Sequence, residues 1–178
     1  EFVETETKRK RYWARSMVGW VGVDGARPNA THCALAELER AGKVDLLITQ
    51  NVDRLHQKAG SQRVVDLHGR LDQVICLNCG EQESRQSFQT RLLQANPFVT
   101  DYQHIARPDG DADVPDTYVE KTTIPQCKQC SGVVMPDVVF FGGTVPGSRV
   151  DACAESLSRA GGLLAVGSSL QVYSGFRF

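Results

Sequence analysis

The chain has 178 residues, 41% of them hydrophobic and 23% charged, which is enough for one domain with a substantial core, or for one domain and a small module. A net charge of -1 argues against a nucleic-acid binder, which needs a basic face; Arg9-Lys10-Arg11 is the one tight basic cluster and reads as a solvated helix face. No apolar run reaches the roughly 18 residues of a membrane-spanning helix, and there is no signal-peptide core.

From Lys8 to Trp20, Tyr12, Trp13, Val18 and Trp20 stand among basic residues, the pattern of a helix laying an aromatic edge on the body. Pro28-Asn29-Ala30-Thr31 reads as a helix start, with Asn29 or Thr31 offering the cap oxygen. Leu35 and Leu38 then recur at helical spacing, Glu37 and Glu39 stay outside, and Gly42 ends the helix in a left-handed turn. Val44 to Thr49 follows as a strand whose nearly continuous apolar run implies cover on both faces, as in a parallel sheet.

That strand runs abruptly into Gln50-Asn51-Val52-Asp53-Arg54-Leu55-His56, a concentration of amides, a carboxylate and an imidazole. A second short strand, Val64 to Leu67, delivers His68 just before Gly69. Any one of these residues alone would pass for a loop cap; together they mark a cleft where chemistry is done. Val74-Ile75 then leads into Cys76, Gln86 to Leu93 forms a short helix, and Arg107 to Asp116 is a Pro/Gly/Asp-rich loop. Val138 to Phe141 reads as a strand halted by Gly142-Gly143, Val150 to Ala160 as a helix closed by Gly161-Gly162, and Leu163 to Val166 as another strand ending in Gly167-Ser168-Ser169. Three apolar strands would thus end in polar or glycine-rich groups on one edge of an α/β sheet, the outline of a nucleotide site.

Four of the six cysteines fall as Cys76-x-x-Cys79 and Cys127-x-x-Cys130, and Cys33 and Cys153 are read as buried helix thiols. Paired Cys-x-x-Cys segments place two thiolates each at the corners of a tetrahedron. With a sizeable expected core and no secretion signal, structural zinc is favoured over disulfides, and two pairs speak against a thioredoxin-like redox site. Lys128 and Arg70 are cationic neighbours expected to help hold the thiolates. Four cysteines close the coordination shell, so the metal would fold a small module and not catalyse.

Thr-Gln-Asn-x-Asp-x-Leu-His at 49–56, Leu-His-Gly at 67–69, the two cysteine pairs, Pro-Asp-Val-Val-Phe-Phe-Gly at 136–142 and Gly-Ser-Ser-Leu-x-Val at 167–172 together resemble the sirtuin family of NAD-dependent protein deacylases. The runs at 137–142 and 167–178 look most like its mitochondrial type-four branch. The resemblance implies an α/β fold, a Rossmann-like parallel sheet domain (1–70 and 134–178) with a small zinc-binding domain inserted (71–133). It implies NAD and zinc as cofactors, an acyl-lysine protein as substrate, no nucleic-acid or membrane partner, and residence in the mitochondrial matrix. Carried over by position, it makes His68 the general base. Gln50, Asn51 and Asp53 would meet the ribose and nicotinamide, and Gly167, Ser168 and Ser169 the phosphate and adenosine side. Val139, Phe140, Phe141 and Gly142 would pair with the acyl-lysine peptide as a strand edge. ADP-ribosyl transfer is a further expected activity, and the competing reading is a catalytically inactive, zinc-stabilised binding module. The family's Gly-Ala-Gly-Ile-Ser loop does not occur and the chain starts at Glu1, so the expectation is a fragment that binds NAD poorly.

Overall fold

The computed structural model describes residues 2–101 and 112–178. In chain order its elements are α1 (Glu6–Gly25), α2 (Ala30–Arg40), β1 (Leu47–Thr49), α3 (Leu55–Lys58), β2 (Val64–Asp66), β3 (Gly69–Cys76), β4 (Gln82–Ser84), α4 (Arg85–Ala95), a 3-10 turn (Pro97–Asp101), α5 (Asp116–Lys121), β5 (Val134–Val138), α6 (Gly147–Arg159) and α7 (Tyr173–Phe176). They form two compact units, Glu1–Ala26 with Leu71–Asp137, and Arg27–Arg70 with Val138–Phe178. Among the described residues no helix is long and apolar enough to cross a membrane.

In the first unit β3 is the middle strand of a three-stranded sheet, with β4 antiparallel on one side and β5 on the other. Thr5 caps α1 by accepting from the Lys8 amide at 3.2 Å, and Trp13, Met17, Val18 and Trp20 are buried along the helix. The Trp13 ring packs on Phe88 of α4, centroids 4.6 Å apart, which ties residues 1–26 to this unit, although the sequence division keeps them with 27–70. Arg85, 1% exposed, lies against this core with its guanidinium 4.8 Å from the Trp20 centroid, and donates to Gln89 Oε1 at 2.7 Å and to Ser16 Oγ at 3.1 Å. Burial pulls its pKa down to about 10, and the hydrogen bonds and ring faces offset part of the cost of burying the charge.

The second unit holds a β-α-β arrangement: β1 and β2 pair in parallel, Leu47 opposite Val64 and Thr49 opposite Asp66, with α3 between them in sequence. Leu67, Val145 and Cys153 form its core with Ile48, Val65, Val139, Val150 and Phe178 packed round them. Asn29 caps α2, and the His32 imidazole reaches back to the Asn29 amide, completing a capping box. Gly42, at φ +69, makes the expected left-handed turn after α2.

Several sequence expectations need correction. β1 starts only at Leu47, because the amides of Lys43 and Val44 are spent on Leu38 O at the end of α2. Val138 to Phe141 is not a strand: β5 ends at Val138, and the chain turns as the Gly143 amide bonds Phe140 O at 2.8 Å. Leu163 to Val166 has no strand partner among the described residues, and Leu163, Leu164 and Val166 are exposed, so an apolar run without a pairing neighbour stays irregular. The parallel pairing therefore comprises β1 and β2, and β5 belongs to the other sheet. Cys33 is exposed while Cys153 is fully buried, since α2 buries His32 and Ala36 and turns Cys33 and Leu38 outward. Residues 107–111 of the expected loop lie outside the described residues; Asp116, its last residue, opens α5.

Candidate functional site

The cysteine quartet is built by two matching turns in the first unit. At the end of β3 the Gly80 amide closes on Cys76 O at 3.0 Å, and in the second turn the Ser131 amide closes on Cys127 O at 3.0 Å. Each turn also aims an amide at its first sulfur: Asn78 N–H donates to Cys76 Sγ and Gln129 N–H to Cys127 Sγ, both at 3.4 Å. All four sulfurs lie within 4.8 Å of one another, with Cys76 to Cys130 at 3.5 Å and Cys79 to Cys127 at 3.7 Å. Four ligands at about 2.3 Å from a tetrahedral zinc have edges of roughly 3.8 Å, so these thiols are spaced for that ion. The cysteines are free, as a metal site requires.

Amide donors favour the thiolate, the form that binds metal. The Cys79 amide leads in drawing the Cys76 thiol down to about 6, while a hydrogen bond with Cys79 pushes Cys130 up to about 12. Lys128, expected beside the thiolates, instead bonds Glu83 at 2.5 Å and Ser87 Oγ at 3.3 Å. Glu83 also takes Arg91 at 2.7 Å, and these pairs tie the second turn to β4 and α4.

In the second unit the polar residues after β1 divide into those that shape the loop and those that face one another. Thr49 Oγ1 accepts the Asn51 amide at 3.1 Å and Asp53 Oδ1 the Leu55 amide at 2.9 Å, an Asx turn leading into α3. Arg54 sits at φ +64, a strained value for arginine, and its guanidinium pairs with Asp66 at the end of β2. Gln57 Nε2 donates to the same carboxylate at 2.9 Å.

His68 is held at both ring nitrogens, Nδ1 at 3.1 Å from Gln50 O and Nε2 at 2.6 Å from Ser174 Oγ. The Gln50 carboxamide donates to Ser168 Oγ at 3.2 Å. Gln50, His68 and Ser168 thus come together, whereas the bonds of Asn51 and Asp53 given above are local: the Asn51 amide donates to the Thr49 side chain and the Asp53 carboxylate accepts the Leu55 amide. Gly167 takes φ +64, and residues 167–169 are exposed. The Val139 amide donates to His68 O at 2.8 Å, and Phe141 is 99% exposed with Gly142 beside it at φ +81. The sequence reading did not single out Ser174 or Asp66; the adjacent small pair Ser174-Gly175 was the one local signal.

A profile described as the Sir2 family matches residues 1–174, and the chain belongs to that family. It is 53% identical over 177 residues to an NAD-dependent protein deacetylase of Xanthomonas campestris pv. campestris (strain 8004), covering 99% of this chain and 60% of that protein. It is 49% identical to the NAD-dependent protein deacylase Sirt4 of Drosophila melanogaster, covering 99% of this chain and 57% of that one. A solved structure described as Sir2 bound to acetylated peptide superposes with a TM-score of 0.74 at 28% identity over 98% of this chain and 61% of that one. The fold is therefore the Rossmann-like α/β fold of that family, and the chain spans about three fifths of the length of the curated relatives it matches.

Proposed function

We propose that the protein is an NAD-dependent protein lysine deacylase. The observation that carries this reading is His68, brought with Gln50 and Ser168 to the end of the β1–β2 pair and anchored at both ring nitrogens. NAD, when bound, would supply the ribose whose C1′ is open to the acyl oxygen with nicotinamide as the leaving group. His68 acts as general base on a ribose hydroxyl, a task suited to imidazole near neutral pH. Gln50, Asn51 and Asp53 meet the ribose and nicotinamide, and Gly167, Ser168 and Ser169 the phosphate and adenosine side. Of the segment Val139 to Gly142, which would offer its backbone to an acyl-lysine peptide, Phe141 and Gly142 are exposed and Val139 packs on the core. Cys76, Cys79, Cys127 and Cys130 hold one zinc ion in a closed shell that stabilises the unit they belong to, while the unit of 27–70 and 138–178 is the NAD-binding part.

The test is nicotinamide release from NAD by protein expressed from the complete reading frame, with and without an acyl-lysine peptide. Peptide-dependent release that His68→Ala abolishes is the expected result. Release without peptide, with label transferred to protein, would point to ADP-ribosyl transfer; peptide binding without any release would make the protein a binding module. Residence in the mitochondrial matrix is supported by the likeness of the 167–178 run to type-four members and by 49% identity to the fly Sirt4. Bacterial relatives at 53% identity weigh against it, and imaging of the tagged complete protein decides.

A further inference from the structure

Gln50 O is a carbonyl oxygen and can only accept, so the His68 nitrogen 3.1 Å from it, Nδ1, carries the ring proton. In the neutral ring this leaves the lone pair on Nε2. Ser174 Oγ lies 2.6 Å from that nitrogen, so the hydroxyl donates and Nε2 accepts. The next residue, Gly175, lies close against the Gln50 carboxamide: a Cβ there would fall 2.7 Å from Gln50 Nε2 and 2.9 Å from its Cδ. The pair Ser174-Gly175 in α7 therefore rests on Gln50 and His68 together, two residues that stand far from it in sequence.

From this we infer that Ser174 is a positioning residue for His68, holding the ring in the Nδ1–H tautomer with Nε2 as its accepting nitrogen. The inference rests on the reading of His68 as the base. When a substrate hydroxyl comes to Nε2, its O–H bond breaks, an N–H bond forms on the ring, and the electron pair left on oxygen becomes the nucleophile. Nε2 has one lone pair, so the Ser174 O–H gives up its hydrogen bond as the substrate hydroxyl arrives; Ser174 keeps its own proton throughout, and its oxygen accepts from the new N–H once the transfer is complete. A ring already turned to this orientation by Gln50 O and Ser174 has little freedom left to lose when the substrate arrives, which is where the hydroxyl contributes to rate.

Nitrogen NMR of the histidine-labelled chain in alkaline buffer reads the tautomer directly, with the His68 signals assigned by their loss in His68→Ala. A protonated Nδ1 and a hydrogen-bonded, unprotonated Nε2 are expected. In Ser174→Ala the Nε2 resonance should move toward that of a free imidazole nitrogen, and Ser174→Thr, which keeps the hydroxyl, should move it back. In the complete protein Ser174→Ala should lower kcat about tenfold, the worth of one hydrogen bond, with KM for NAD little changed, and Ser174→Thr should recover the rate. A proton on Nε2 in the native chain, or an Nε2 resonance indifferent to Ser174→Ala, overturns the inference. Normal turnover by His68→Ala would instead remove the base itself and the kinetic half of the inference with it, and the resonance would then bear on the contact alone.

Discussion

Gly132 approaches the Cys76 sulfur so closely that a Cβ added to it would lie 2.9 Å from Sγ, and 2.8 Å from Asn78 Cβ and Cγ. The neighbours are not the far ends of flexible chains: Cys76 Sγ is a proposed metal ligand, and its turn is closed by the Gly80 amide. Gly132→Ala should therefore push the two cysteine turns apart, lower zinc content and cost about 1 to 3 kcal/mol, the usual range for overpacking. Gly80, at φ +75 with nothing within 4 Å of its would-be Cβ, should accept asparagine at much smaller cost. Melting curves and metal analysis of both variants check this; a Gly132→Ala protein with native zinc and stability would show that the turns have slack.

Chelation should unfold the first unit. Four thiols crowded within 4.8 Å would be held together by a metal that replaces their protons, so binding energy there would be folding energy. Both tryptophans, Trp13 and Trp20, are buried in this unit, which makes intrinsic fluorescence a reporter of it alone. Elemental analysis should give one zinc per chain, and chelator should shift the emission to the red; Cys127→Ser should show the shifted emission from the start. Native emission in zinc-free protein would defeat the expectation.

Asp66 answers both the strained Arg54 and Gln57, and the Asp66 and Arg54 side chains are only 14% and 20% exposed. Removing one partner of a pair so far from solvent costs about 3 kcal/mol, against 0 to about 1 for a surface pair. Asp66→Asn should destabilise the chain by about that amount and loosen the 50–58 loop. A double-mutant cycle with Arg54→Met, followed by urea unfolding, should give a coupling well above 1 kcal/mol. A coupling near zero would class the pair with surface salt bridges.

What could be read in the sequence was local. The cysteine turns were legible because Cys-x-x-Cys and the following glycine lie within one turn of chain, and α2 was legible because Asn29 and Gly42 sit at its ends. Strand limits were harder. Whether Val44 joins β1 depends on Leu38 O taking its amide, and whether Leu163 to Val166 forms a strand depends on a neighbour that hydropathy does not report. The contact of Ser174 with His68 spans 106 positions and follows no period, so only folding reveals it. Arg54 to Asp66 is a shorter reach, but it arises from a left-handed arginine that no propensity favours.

His56 is the group through which acid should act on the second unit. Its ring lies tilted against His32 of the α2 capping box, centroids 4.7 Å apart, and its Nδ1 is buried with no hydrogen-bond partner among the described residues. Burial first, and then the neighbouring His32, hold its pKa below the ordinary 6.5, against the opposing pull of Asp53 and Asp66. The folded chain thus binds fewer protons here than the unfolded one. Stability from this site is complete above 6.5, falls as the pH drops through that value, and levels off once the pH passes below the folded pKa. His56→Phe keeps a ring in the contact but cannot take a proton, so its urea midpoint should fall less than the native one between about pH 7.5 and pH 5.5. Parallel pH profiles for the two proteins would mean that His56 has solvent access enough to charge freely, and that the acid sensitivity of this unit lies elsewhere.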